Sequence, residues 1–196
     1  MKRLITLVTA AAMGMIATAQ AAVFATLDQT ADGLQFVFSG TLDIEELTPF
    51  ATVGGPATGF LVPANSAVGV QGEACDTCVG LYLADAPEGF ATDGGFVPSN
   101  VFSIDGSQAF GFQIFEGVGG IALGDAYVSG STLSGDAFFS GVTLAALCIS
   151  AGTYSWTLLN GDFVSLTVSE VPVPAAALLF GPVLAGLAWR RGKKTA

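Results

Sequence analysis

Short apolar stretches separated by glycine-containing turns fill the middle of this chain. Leu34–Ser39 (LQFVFS), Phe110–Phe115 (FGFQIF), Thr153–Leu159 (TYSWTLL) and Phe163–Val168 (FVSLTV) alternate or run apolar over strand lengths. The dipeptides Asp32-Gly33, Ser39-Gly40, Asp105-Gly106, Ser129-Gly130, Ser134-Gly135, Ser140-Gly141 and Asn160-Gly161 read as turns. Asn160-Gly161 between two apolar runs predicts a β-hairpin. Leu47–Thr58 and Ala84–Pro98 cluster Gly, Pro and polar residues and read as loops. No segment between Ala22 and Glu170 keeps helical periodicity over three turns. The pattern predicts one all-β domain over 22–170, an antiparallel β-sandwich or barrel-like fold of about eight to ten short strands.

Longer apolar runs lie only at the ends. Met1–Arg3 form a basic start, Leu4–Thr18 an apolar core, and Ala19-Gln20-Ala21 places small residues where a signal peptidase inspects them. Cleavage is expected before Ala22, so 1–21 is a signal peptide handled by the Sec machinery and signal peptidase. The run is shorter than the ~20 residues that cross a hydrocarbon core. Val171–Trp189 is uncharged and is followed by Arg190, Arg191, Lys193 and Lys194. At ~1.5 Å rise per residue, a helix over about 175–189 with its flanks approaches the bilayer thickness. The basic cluster is expected to stay cytoplasmic. The all-β body is thus flanked by an N-terminal signal peptide and a C-terminal transmembrane helix.

Charge sharpens this picture. All six Lys and Arg belong to the two ends, whereas all sixteen Asp and Glu lie between Arg3 and Arg190. The result is an acidic exported body, held outside the membrane with its basic tail inside. A net charge of −10 repels phosphate and excludes nucleic acid as a partner.

The tail, Val171-Pro172-Val173-Pro174-Ala175, an apolar helix and the basic cluster, resembles the PEP-CTERM sorting domain in its VPLPA-type variant. That resemblance implies a Gram-negative surface protein, periplasmic while tethered to the inner membrane and then at the cell surface or outside it, processed near the proline motif by an exosortase-like membrane enzyme in a cell that secretes extracellular polysaccharide. Tyr127–Gly130, Ser134–Thr143 and Gly152–Tyr154, with Phe36–Asp43, are similar to a recurring ectodomain of such surface proteins. This second resemblance supports a β fold and surface placement, and names no activity.

Catalytic classes fall mostly by subtraction. The chain has no His, and the body has no Lys or Arg, which removes Ser-His-Asp and Cys-His arrangements, Schiff bases and arginine fingers. Paired carboxylates remain as candidates: Glu45-Glu46, Glu73 with Asp76, and Glu116 with Asp125. Nothing but charge marks them, so no enzyme and no catalytic residue is expected. Calcium is the cation that suits acidic loops, yet no D-x-D-x-D-G loop occurs, and solubility is the preferred use of the charge. No cofactor is expected.

Cys75-Asp76-Thr77-Cys78 is a C-x-x-C without a thioredoxin-like context. In an oxidising compartment, Cys75 and Cys78 are expected to pair, with Cys148 a buried small hydrophobe. Pairing of Cys148 with either is the rival. Two function classes remain open. One is a non-enzymatic surface or matrix protein associated with exopolysaccharide. The other is a carbohydrate- or calcium-dependent adhesion module, for which exposed Tyr82, Tyr127, Tyr154 or Trp156 would supply sugar-stacking rings.

Overall fold

The computed structural model describes residues 20–62, 65, 67–90, 95–107, 109–115 and 118–170, with the backbone alone for 75–78 and 115. These residues form thirteen strands: β1 (Ala22–Gln29), β2 (Gly33–Thr41), β3 (Ala51–Gly55), β4 (Thr58–Val62), β5 (Ala67–Gln71), β6 (Cys75–Asp85), β7 (Val97–Pro98), β8 (Val101–Asp105), β9 (Ala109–Phe115), β10 (Val118–Gly124), β11 (Thr132–Ser140), β12 (Gly152–Leu158) and β13 (Phe163–Ser169). The domain is all-β. Among the described residues there is no α-helix, and no helix is long and apolar enough to cross a membrane.

Alternation explains the long strands. In β1, Val23, Ala25 and Leu27 are buried while Phe24 faces out; in β2, Leu34, Phe36 and Phe38 are buried while Val37 and Ser39 are exposed. The same period places Tyr154 and Trp156 of β12, and Val164, Leu166 and Val168 of β13, on the inner face.

The strands make one curled sheet in the order β7-β4-β5-β9-β10-β6-β12-β13-β1-β2-β11-β8, with β3 also on β6. Its two halves join through a short contact, where Ala84 and Asp85 of β6 meet Leu158 and Thr157 of β12. At the far ends, β7 pairs with β4 and β8 pairs with β11, yet β7 and β8 are consecutive in the chain. Ser99 and Asn100 span that junction. The Ser99 amide donates to the Gly59 carbonyl (2.9 Å), and the Asn100 amide donates to the Phe138 carbonyl (2.7 Å). Ser99 Oγ accepts from the Gly59 amide (2.9 Å), and Asn100 Oδ1 accepts from the Ser140 amide (2.7 Å). The sheet's two terminal strands are thereby drawn together.

Aromatic rings fill the interior between the halves. Phe38 packs on Phe110 with centroids 4.4 Å apart, Phe36 meets Phe112 at 6.2 Å, and Phe112 meets Trp156 at 4.0 Å. Such pairs contribute about 0.5–1.5 kcal/mol each beyond the burial of their area. Gly135 sits where a Cβ would be 2.6 Å from the Phe38 ring, so a missing side chain in β11 makes room for the core.

Several expectations need correction. The strand pairs are antiparallel except β1 with β13, which run parallel from Ala22↔Phe163 to Asp28↔Ser169. Thirteen strands replace the expected eight to ten. β3 lies inside the segment read as a loop over Leu47–Thr58, and β7 inside Ala84–Pro98. Ser39-Gly40 and Ser134-Gly135 are strand interiors rather than turns. The Asn160-Gly161 hairpin is present, closed by the Gly161 amide on the Leu158 carbonyl (2.9 Å) and the Leu158 amide on the Asp162 carbonyl (2.7 Å).

Candidate functional site

The outer face of the half-sheet β12-β13-β1-β2-β11-β8 is lined with small polar side chains. The pairing registers align them across all six strands. One row runs Ser155, Ser165, Phe24, Ser39, Ser134, Asp105; the next runs Thr153, Thr167, Thr26, Val37, Asp136, Ser103. With strands ~4.8 Å apart, each row extends about 24 Å. Ser103 Oγ donates to Asp136 at a short distance, and Ser169 Oγ does the same to Asp28 on a neighbouring row.

Two features give this face chemical character. Phe24 is 61% exposed and stands edge-on against Phe163, with centroids 5.9 Å apart and planes at 89°. At the β2-β11-β8 end, Val37, Ser39, Ser103, Asp105, Ser134 and Asp136 border a shallow depression of about 410 Å³. Hydroxyls both donate and accept, carboxylates accept, and an exposed ring offers an apolar plane. The arrangement suits a long hydroxylated ligand.

A second polar cluster lies at one end of the domain, where the chain enters β1 and leaves β2. The Tyr127 hydroxyl accepts from the Leu42 amide (2.9 Å) and is within donating distance of the Leu42 (2.7 Å) and Ser131 (3.0 Å) carbonyls. Burial pushes its pKa up, opposed by the hydrogen bonds to Leu42 and Ser131; the nearby charges of Asp162 and Asp43 push it further up. Ser129 Oγ donates to Asp43 Oδ1 (2.6 Å) and accepts from the Ile44 amide (2.8 Å). The Ser129 hydroxyl, and then the Glu45 amide (3.0 Å), hold the Asp43 carboxyl below its ordinary value. Asn160 Nδ2 donates to the Asp43 carbonyl (2.6 Å). Asp162 accepts from the Ala21 amide on one oxygen (3.0 Å) and the Asp43 amide on the other (2.6 Å).

The residues singled out from sequence are placed as follows. Ala22 opens β1 and Ala21 is bound to Asp162, while Ala19 lies outside the described residues, as do 171–175 and the basic cluster 190–194. Tyr127, Tyr154 and Trp156 are buried, which removes them as sugar-stacking surfaces; they are core and scaffold residues instead. Tyr82 is half-buried, and burial followed by the charge of Asp125 raises its phenol pKa. Glu45, Glu46, Glu73 and Asp125 are exposed, whereas Glu116 and the Asp76 side chain lie outside the described residues. Among the described residues no three His, Cys, Asp or Glu are grouped to hold a metal ion.

Cys148 is exposed and free rather than buried. It follows a short 3-10 turn, Ala145–Leu147, with a left-handed backbone (φ 53°) that turns its side chain out of the apolar run. The Cys75 and Cys78 side chains lie outside the described residues. Their backbone belongs to β6, and residues three apart on a strand are about 10 Å apart, beyond the usual Cα separation of a disulfide. A bridge there requires the start of β6 to leave this extended path.

The hydroxyl rows escaped the sequence reading, although T-Y-S-W-T and F-V-S-L-T-V-S carry their signal: Ser and Thr at every second position, opposite the core. What no single strand reveals is which strands lie side by side. Neither a family model, nor a curated protein, nor a solved structure matches this chain.

Proposed function

We propose that the chain is a non-enzymatic exported surface or matrix protein, delivered by its N-terminal signal and sorted through its PEP-CTERM-like tail. The signal peptide directs the chain through Sec, and the C-terminal helix tethers the body to the inner membrane with the basic cluster inside. An exosortase-like enzyme then cuts near Val171–Ala175, and the sandwich- or barrel-like body reaches the surface or the extracellular matrix.

One observation carries this reading: every Lys and Arg lies at one of two ends, each beside an apolar stretch, and the body between has none. Among the described residues the buried core runs from Val23 to Val168. At the surface or in the matrix, the hydroxyl rows and Phe24 would lie against extracellular polysaccharide. That face also favours the carbohydrate half of the adhesion-module reading over its calcium half.

The test is fractionation of a body-tagged chain in an exosortase-containing host. The wild type is expected outside the inner membrane without its tail, while Pro172→Ala with Pro174→Ala is expected to remain there full length. Prolines hold the motif extended and short of backbone donors, a form a membrane protease can engage. Wild-type protein that stays in the inner membrane with its tail intact would leave a plain membrane-anchored protein.

A further inference from the structure

Asp162 is 95% buried by its 5% exposure, in a body that contains no Lys, Arg or His between Arg3 and Arg190. Its two oxygens are met by two neutral amides, those of Ala21 and Asp43. A cationic donor adds direct charge attraction to the hydrogen bond that a neutral amide already gives a carboxylate. The body's own side chains provide none.

Cleavage of the signal peptide would create one at this spot. Hydrolysis of the Ala21–Ala22 bond adds water across it, leaving a carboxylate on Ala21 and an amine on Ala22, which is protonated near neutral pH. The released peptide takes away the Ala21 amide that had met Asp162. It also takes the Gln20 side-chain bond to the Gly161 carbonyl (2.8 Å) and the Phe163 amide bond to the Ala21 carbonyl (3.4 Å). Ala22 itself is held in the sheet, in parallel register with Phe163, the residue after Asp162. Its nitrogen is one residue along from that of Ala21, a step of no more than about 3.8 Å.

We propose that the α-ammonium of Ala22, created by signal cleavage, docks on Asp162 and is its counter-ion in the mature protein. The other carboxylate of this cluster among the described residues, Asp43, is engaged by Ser129 and the Glu45 amide. The docking rests on the cleavage position in the export reading, and it makes maturation a completing step of the fold: the precursor holds Asp162 with an amide, the mature chain with a charge.

The experiment uses the exported protein purified from a bacterial host. Its mass fixes the first residue, and a pyridine carboxaldehyde reagent selective for α-amines then reports how accessible that amine is. Two variants are compared with the wild type: Asp162→Asn, and a chain with Gly-Ser inserted between Ala21 and Ala22, which keeps Asp162 but moves the amine away. The wild type is expected to label about tenfold or more slowly than either, the protection a charge-assisted hydrogen bond gives. Equal rates in the wild type and the insertion chain overturn the proposal even if Asp162→Asn fails to fold. A mature chain that begins at Gln20 also overturns it, while leaving export intact. A retained Met1 overturns cleavage and docking together.

Discussion

Tyr127 gathers Leu42 and Ser131 around one buried hydroxyl, joining the end of β2 to the turn before β11. Tyr127→Phe keeps the ring and strands these backbone groups, so urea unfolding is expected to show a loss of about 1–3 kcal/mol. Asp43 gives the corresponding pH-dependent contact. Its folded pKa is depressed, so its contribution is complete above the ordinary carboxylate value near 3.8 and disappears as pH falls through the folded value. Ser129→Ala removes the largest cause of the shift. An NMR titration of the Asp43 carboxyl is expected to move back up toward that ordinary value in the variant, and an unchanged midpoint would assign the depression to another group.

At the scale of strands, backbone geometry matters more than side-chain chemistry. Gly106 closes the turn after β8 with φ +80°, and a Cβ there would be 1.8 Å from the Thr132 carbonyl oxygen. Gly141 has a similar φ of +71° after β11 but faces open space. Gly106→Ala combines left-handed strain with a backbone clash and is expected to cost about 3 kcal/mol or more, against about 1–2 for Gly141→Ala. Thermal melts of the two variants check the difference, and equal losses would mean that the turn after β8 yields. The same geometry explains what could be read in advance. β2, β9, β12 and β13 were legible because large apolar residues set their period, and the Asn160-Gly161 hairpin because its turn is local. β3 (ATVGG), β5 (AVGVQ) and β10 (VGGIALG) carry small residues, and β5 and most of β10 are buried, so alternation is lost. The glycine of β5, Gly69, lies where a Cβ would be 2.5 Å from the Phe110 carbonyl oxygen; glycine here marks close-packed strands rather than a turn. The site was less legible than the fold, since Ser and Thr at alternate positions look the same whether the strands adjoin or not.

Over the whole molecule, the hydroxyl rows form one face only because six strands from distant parts of the chain lie side by side. Polysaccharide contact through that face predicts that Phe24→Ser weakens sedimentation of the exported protein with its host's exopolysaccharide about tenfold, the order seen when an exposed anchor is truncated. Unchanged co-sedimentation would leave the protein displayed without using this face. The parallel pair β1–β13 has a consequence of another kind, in time rather than in space. β1 pairs with its chain neighbour β2, but its other partner, β13, is the last of the described strands, and among those strands it is what links β12 to β1. Contacts of such sequence separation make folding slow, because a long loop must close before it is rewarded. The sheet of the described strands cannot be completed until residue 169 has been synthesised. On the proposed export route, a chain wired this way would keep the junction between β12 and β1 open until β13 has crossed, which is the threadable state a translocation channel accepts.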